Sequence, residues 1–184
     1  MKRLVLLTLV ILGVSSLAFG QANPGSIGVF IDQAGTDCNI PDAGPPGILP
    51  VYMVHVGSNG AQASMWMLDT PPPTLTYVGE SSPFSVIIGS TLTGISIAYA
   101  SCYTSPFLVA TVNFFATGAT PACAYLSIIP NPSAENGLLE IIDCSLVKHE
   151  LTAGGQAVIN SDGSCDCNVA TQETSWGGIK SLYK

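Results

Sequence analysis

Basic residues are scarce in this chain of 184 residues. Five lysines and arginines stand against twelve carboxylates, which gives a formal net charge of −7 at pH 7. After residue 20 the only strong cations are Lys148, Lys180 and Lys184. Binding to nucleic acid or to an anionic membrane surface requires a cluster of lysines or arginines. The sequence therefore argues against both kinds of partner.

Histidine is rarer still, and this limits the catalytic chemistry that the chain can offer. Nucleophilic catalysis needs a serine or cysteine, a nearby base and an acid that orients the base. The two histidines are His55, between two valines of a predicted strand, and His149, between a lysine and a glutamate of a predicted hairpin. No G-x-S-x-G motif accompanies them. We interpret both as structural or surface residues and predict that the protein is not an enzyme.

Two groups of carboxylates raise a glycosidase site as an alternative, and the first of them also raises a calcium site. Asp32, Asp37 and Asp42 lie in one predicted loop, and Glu140 and Asp143 lie in or near one predicted strand. A glycosidase needs two carboxyl groups at a defined separation, and calcium needs several oxygen ligands. Acidic residues in loops more often form turns, so we interpret both groups as solvated or turn-forming residues.

The segment from Asn160 to Cys167 offers two further alternatives for a metal. Its oxygen-rich part surrounds a central Gly163 but lacks the terminal glutamate and the flanking helices of an EF-hand. Cys165 and Cys167, taken with His149, do not have the spacing of the usual zinc sites. A tight turn beside a disulfide explains the segment more simply. We predict no metal ion and no cofactor.

Residues 1–20 are predicted to form a secretory signal peptide with a signal helix. Lys2 and Arg3 precede an apolar run over residues 4–14, and small residues end the segment at Ala18-Phe19-Gly20. A transmembrane helix needs about 20 apolar residues, and this run is shorter. No second long apolar run follows it. We expect a secreted or otherwise extracytoplasmic protein, in the periplasm or at the cell surface, with no membrane insertion after signal cleavage.

Cysteine usage agrees with export, because an even number of cysteines outside the cytoplasm predicts a set of disulfides. All six follow the signal segment: Cys38, Cys102, Cys123, Cys144, Cys165 and Cys167. Several connectivities are open. Proximity in sequence favours Cys102–Cys123, with Cys144 paired to Cys165 or Cys167 and Cys38 paired to the cysteine that remains.

Short runs of β-branched and aromatic residues, separated by glycine, proline, asparagine and serine, predict a series of strands. The strongest run covers residues 107–116, and Asn59-Gly60 predicts a hairpin between the runs 48–56 and 61–68. The other runs cover 27–31, 75–79, 84–88, 95–100, 125–129, 138–143, 146–151 and 157–160. Their number and spacing predict an all-β fold, a two-sheet antiparallel β-sandwich of jelly-roll or Ig-like type over residues 24–168.

Residues 169–184 are predicted to form a linker and a short C-terminal helix. Ser175 is a suitable N-cap for a helix from Trp176 to Tyr183. Trp176, Ile179, Leu182 and Tyr183 would share one face, which makes them candidate interaction residues. Two interpretations remain open. The helix could dock on the sandwich, or the segment could be a detachable recognition tag for export, processing or assembly.

Several motifs along the chain support a resemblance to known proteins. They are SIGVFIDQAGTDCN, VYMVHVGSNGAQAS, GISIAYASC, FLVATVNFFATG, IIDC, NSDGSCDC and the ending TSWGGIKSLYK. Together they resemble a group of uncharacterised secreted bacterial proteins whose β-sandwich is cohesin-like or Ig-like. The ending is similar to a TWG-x-IK-x-LYR motif at the C-termini of such proteins. The resemblance implies a sandwich fold and an extracytoplasmic setting, and it implies no catalytic residues.

We therefore predict a secreted, non-enzymatic module for protein binding, adhesion or extracellular structure, with an unknown protein or glycan partner outside the cytoplasm. The alternative is a carbohydrate-binding module that uses exposed aromatic residues. A small hydrolase is a third, less favoured class. A bare apolar sheet face would favour a protein partner, whereas a row of exposed rings would favour a sugar. The aromatic candidates are Tyr52, Trp66, Tyr77, Tyr99, Tyr103 and Tyr125.

Overall fold

The computed structural model describes residues 23–167, which form twelve β-strands and no helix. Each predicted run overlaps a strand, and one short strand, β2, falls in a segment predicted as loop. The strands are β1 (Ser26–Phe30), β2 (Asn39–Ile40), β3 (Gly47–Val56), β4 (Ala61–Leu68), β5 (Leu75–Ser81), β6 (Val86–Ser90), β7 (Gly94–Tyr103), β8 (Phe107–Ala116), β9 (Ala124–Ile129), β10 (Leu139–Asp143), β11 (Lys148–Leu151) and β12 (Gln156–Ile159).

The strands form two sheets, which confirms the predicted all-β sandwich. One sheet has four strands in the order β1-β3-β8-β5. The other has eight strands: β11-β10-β4-β9-β12-β2 in order, with β7 paired to β4 and β6 paired to β7. All pairs are antiparallel except β12 with β2. Strand β6 is therefore hydrogen-bonded on one side only, within the part of the chain that the structure describes. The predicted hairpin between the runs 48–56 and 61–68 was wrong, because β3 and β4 belong to different sheets.

The core lies between the sheets because alternate residues of each strand point inwards. In β4, Ser64, Trp66 and Leu68 are buried, whereas Ala63 and Met65 point outwards and remain partly exposed. The four-stranded sheet contributes Met53 and Phe114 among others, and both are fully buried. Each large apolar side chain removed from water in this way stabilises the fold by about 1.5–3 kcal/mol. The period of two in the sequence thus sets both the strands and the layer between them.

All six cysteines form disulfides, but the pairing differs from the expectation based on proximity. The structure joins Cys38 to Cys167, Cys102 to Cys144 and Cys123 to Cys165. The predicted pair Cys102–Cys123 and the predicted partners of Cys144 were wrong, whereas Cys38 does pair with one of the last two cysteines.

Strand order explains the observed pairing. Strands β7 and β10 lie on either side of β4, and Tyr103 and Asp143 both stand opposite Ala61. Cys102 and Cys144 are therefore brought together across the end of β4. In the same way, the pairing of β9 with β12 places Cys123 beside the segment that carries Cys165. Contacts between strands distant in sequence, rather than the shortest loop, decide which cysteines meet.

Two predicted segments lie outside the described residues. These are the signal peptide over residues 1–20 and the C-terminal helix with Trp176, Ile179, Leu182 and Tyr183, so both stay predictions. Within residues 23–167 we find no helix with the length and apolar character that crossing a bilayer requires.

Candidate functional site

A groove runs over the outer face of the eight-stranded sheet, where β6, β7, β4 and β10 lie side by side. The register of these strands arranges the outward side chains in two rows. One row reads Ile88, Ser96, Met65, Glu140, and the next reads Val86, Ala98, Ala63, Ile142. The same residues line a groove of about 230 Å³. We refer to these eight residues as the outer groove.

The shape of the outer groove follows from the size of its side chains. Its middle holds Ala63, Ala98 and Ser96, which are small, whereas Val86 and Ile88 form one wall and Met65 and Ile142 flank the other side. Ile88 is 73% exposed and Val86 is 54% exposed. Large aliphatic side chains left in water at this level are costly, because each could contribute about 1.5–3 kcal/mol if covered. The surface is therefore suited to a partner that covers them.

Strand β6 adds to this apolar surface a backbone edge that no other strand of residues 23–167 pairs with. Its sequence is Val-Ile-Ile-Gly-Ser, without charge or proline, and its first four residues are all exposed. Exposed edge strands are usually protected by lysine, proline or a bulge, because their free N–H and C=O groups can pair with another chain. No lysine or proline protects β6. An extended peptide could hydrogen-bond to this edge and place its side chains beside the outer groove.

The opposite end of the outer groove is charged. Lys148 Nζ lies 3.2 Å from Glu140 Oε1 and 2.7 Å from Glu150 Oε1. Asn136 also donates a hydrogen bond to Glu150. These contacts raise the pKa of Lys148 and lower the pKa of Glu150, chiefly through the hydrogen bond between them. Two carboxylates share one lysine here, so this end of the surface keeps a net negative charge.

Beneath the groove lies a buried polar network that holds the inner side of β4 and β7. Ser64 Oγ accepts hydrogen bonds from Tyr99 Oη at 2.6 Å and from Trp66 Nε1 at 3.0 Å. His55 lies 3.3 Å from Tyr99 Oη, and its Nε2 lies 2.7 Å from the Pro24 carbonyl oxygen. Because a carbonyl can only accept, Nε2 carries the proton. The network satisfies buried polar atoms, which rigidifies the sheet under the groove.

His55 is a structural residue in this network. Burial lowers its pKa to about 4, only partly opposed by the hydrogen bond to the Pro24 carbonyl. The ring is fully buried and stacks near Phe107, with 5.0 Å between ring centroids. Burial also raises the pKa of Tyr99. A neutral, enclosed imidazole whose Nε2–H is bonded to a backbone carbonyl does not offer a base to an external substrate.

His149 is also committed to the fold. Its Nε2 lies 2.8 Å from Asp143 Oδ2, while Asp143 Oδ1 accepts hydrogen bonds from the backbone N–H of Ser145 and of Val147. These hydrogen bonds, that from His149 first, lower the pKa of Asp143. The pair closes the turn between β10 and β11. In residues 23–167 neither histidine hydrogen-bonds to a serine or cysteine side chain, so the geometry gives no support to a nucleophile and base pair.

The carboxylates predicted as alternatives for a glycosidase or calcium site do not converge. Asp32 accepts backbone N–H groups of its own loop, which lower its pKa against the opposing effect of burial. Asp42 is buried and accepts hydrogen bonds from Gly118 and Thr120 in a different loop. Glu140 points outwards and Asp143 inwards from the same strand. These carboxylates therefore have separate positions in the fold and do not form a shared site.

At the cysteine-rich end of the domain, the possible metal ligands also bond to other groups of the protein. Asp162 lies beside Cys123 and Cys165, so one carboxylate and two sulfur atoms approach within metal-binding distance of one another. The two sulfur atoms are joined in a disulfide, which removes the thiolates that zinc would require. Asp162 instead accepts hydrogen bonds from the backbone and hydroxyl of Ser164, which lower its pKa.

Within residues 23–167 the aromatic residues do not form the row that a sugar-binding platform needs. Trp66 and Tyr99 are fully buried. Tyr103 is exposed, but it packs against Phe84 at 5.4 Å between ring centroids. Tyr125 is exposed on β9, which is not a neighbour of β7. The alternation of the strands explains the two buried rings, because they fall on inward positions.

Sequence reasoning missed the outer groove. A surface strand usually alternates apolar and polar residues, but Val86, Ile87 and Ile88 are all apolar. This run was therefore the one local indication that both faces of β6 are apolar. What the sequence did not reveal is that Ala63, Ala98 and Ile142 lie beside it, since these residues come from three other strands.

Comparisons with known proteins concern the fold. No family model and no curated protein matches the chain. A cohesin module from a family 33 glycoside hydrolase of Clostridium perfringens ATCC13124 is 7% identical, covers 75% of this chain and 99% of its own, and has a TM-score of 0.49. The sixth cohesin of scaffoldin B from Acetivibrio cellulolyticus, solved in complex with a mutant Cel5 dockerin, is 12% identical, covers 74% and 98%, and has a TM-score of 0.44. At these identities neither structure transfers a partner or a binding face to this chain.

Proposed function

We propose that this protein is an extracytoplasmic, non-enzymatic module that binds another protein through the outer groove and the free edge of β6. The observation that carries the proposal is the bare apolar surface made by Val86 and Ile88 beside a floor of alanine and serine. Exposed apolar patches of this kind, with a polar rim, mark sites of protein interaction.

Binding would combine two contributions from the same strand. A partner segment lying along β6 would pair with its free backbone groups, and the groove beside it would receive one or more apolar side chains. The sheet beneath is fixed by the Ser64 network and by the Cys102–Cys144 disulfide. A preformed surface of this kind lowers the entropy lost on association.

Several features support a setting outside the cytoplasm. The three disulfides are typical of exported proteins, and the predicted signal peptide and acidic composition agree with export. Both histidines have structural hydrogen-bond partners and the carboxylates lie apart, which supports a binding role over catalysis. A glycan partner stays the second proposal, and it has only Tyr103 and Tyr125 as exposed rings on the eight-stranded sheet.

The test compares two variants that place arginine at an exposed isoleucine. Ile88→Arg alters the outer groove, and Ile48→Arg alters the outer face of the other sheet, where Ile48 is 59% exposed. Each protein is immobilised and incubated with envelope extract and culture medium of the producing cells. We expect partners captured by the wild type to be retained by Ile48→Arg and lost by Ile88→Arg.

Equal capture by both variants would contradict the proposed site. Circular dichroism and non-reducing mass spectrometry of each variant check that the fold and the disulfides are intact. Elution by a soluble polysaccharide, with capture insensitive to Ile88→Arg, would favour the glycan alternative.

A further inference from the structure

We propose that the outer groove receives the C-terminal segment Ser175–Lys184 of a second copy of this chain. This inference rests on the proposed function and names the partner. It concerns a segment of known sequence whose position lies outside the described residues.

The first argument is the match between the groove and the segment's anchor residue. A cavity of about 150 Å³ accommodates benzene, so the outer groove, at about 230 Å³, has room for an indole ring. Trp176 is followed by Gly177 and Gly178, whose missing side chains would let the backbone lie close to the sheet. Ile179 and Leu182 would supply further apolar contacts for Val86 and Ile88.

Charge complementarity is the second argument. All twelve carboxylates except Glu173 lie in residues 23–167, where Lys148 is the only lysine or arginine. The segment Ser175–Lys184 carries two lysines and no acidic side chain. The charged end of the groove presents Glu140 and Glu150 around one lysine. A segment that adds Lys180 or Lys184 at this end would balance the carboxylates.

The third argument concerns where the described chain ends. Cys167 is joined to Cys38, which precedes β2 at the far edge of the same sheet. From the register, Cys38 lies about six residues along the strands and three strand spacings away from the middle of the groove, a span of roughly 25 Å.

The connecting chain is poorly matched to that span. Eight residues separate Cys167 from Trp176, so nine Cα–Cα steps connect them. A flexible chain of this length has a root-mean-square reach of roughly 17 Å and a limit of about 30 Å when fully extended. Occupation of the groove by the chain's own segment would therefore require an almost extended linker, which lowers the effective concentration. Exchange of the segment between copies avoids this constraint.

The consequence is an assembly that does not close on itself. A groove on one copy and a segment on another form a head-to-tail contact between different surfaces, and such contacts extend into chains unless a rotation closes them. Each copy would offer one groove and one segment.

The test uses the full chain as recovered from cells that export it, in sedimentation velocity over a dilution series. Ile88→Arg removes the groove and keeps the segment, whereas Trp176→Ser removes the anchor and keeps the groove. We expect the wild type and the control Ile48→Arg to associate with increasing concentration. We expect each of the other two variants alone to be monomeric.

Mixing the two defective variants gives the decisive result. The intact groove of Trp176→Ser should accept the intact segment of Ile88→Arg, so the equimolar mixture should form dimers and no larger species. Monomers in the mixture, or a wild type that stays monomeric at every concentration, would overturn the inference. If Ile88→Arg does not fold, Ala98→Gln fills the middle of the groove without adding charge and takes its place.

Failure of this inference can be distinguished from failure of the proposed function. If the wild type does not self-associate but Ile88→Arg still loses captured partners in the pull-down, the groove binds a different protein. If neither self-association nor capture depends on Ile88, both proposals are wrong.

Discussion

At the residue scale, this domain places its polar side chains in positions that stabilise the fold. Ser64 receives two buried hydrogen bonds, His55 joins β3 to the segment before β1, and Asp42 binds a loop far away in sequence. From sequence, both histidines could be interpreted as structural, because their immediate neighbours gave no catalytic motif. The hydrogen-bond partners, Pro24 for His55 and Asp143 for His149, could not be predicted because the folded structure decides them.

The buried imidazole makes stability depend on pH in a defined window. His55 has a pKa of about 4 in the folded protein and about 6.5 when unfolded, so the unfolded state binds the proton more readily. Stability is therefore fully present above pH 6.5 and declines as pH falls towards 4. The decline amounts to about 3 kcal/mol for this one group.

This pH dependence can be measured in two ways. Denaturant unfolding of the wild type and of His55→Gln, at several pH values between 4 and 7, should show the steeper loss of stability in the wild type. An NMR titration should find the His55 ring still neutral at pH 5.5. A His55 midpoint near 6.5, or identical pH profiles for the two proteins, would show that the ring is not buried as described.

At the scale of elements, the strands were predictable because each needs only its local pattern. Strands β4 and β8 begin and end where the sequence predicted. Strand β2 was missed because two residues carry no periodicity and are held by pairing with β12. The cysteine pairs were mispredicted for a related reason, since Cys102 and Cys144 meet only when β7 and β10 flank β4.

The Cys102–Cys144 disulfide leaves no space for a side chain at Gly60, directly before β4. A Cβ atom added at Gly60 would lie 2.6 Å from Cys144 Sγ and 3.1 Å from Cys102 Sγ. Gly60→Ala should therefore lower stability by about 1–3 kcal/mol, the usual cost of overpacking. Gly44→Ala is the matched control, because nothing lies within 4 Å of its added Cβ. Thermal unfolding compares the two, and equal melting temperatures would show that the disulfide does not pack against Gly60.

At the scale of the whole molecule, the two sheets differ in what they expose. Among the described strands, the eight-stranded sheet ends at β6 with an apolar, unpaired edge beside the outer groove, and the Lys148 ion pairs lie at the β10–β11 end. The fold class followed from the number and spacing of strands. The groove did not, because it is assembled from four strands whose neighbours and register cannot be read from a single sequence.

The central claim is that a protein partner contacts the outer groove, and site-specific photo-crosslinking in the producing cells tests it most directly. A photoreactive phenylalanine analogue is introduced at position 88 and, as the matched control, at position 48. Binding at the outer groove predicts higher-mass adducts from position 88 and few or none from position 48. Adducts from position 48 without adducts from position 88 would contradict it and would place the interaction on the other sheet.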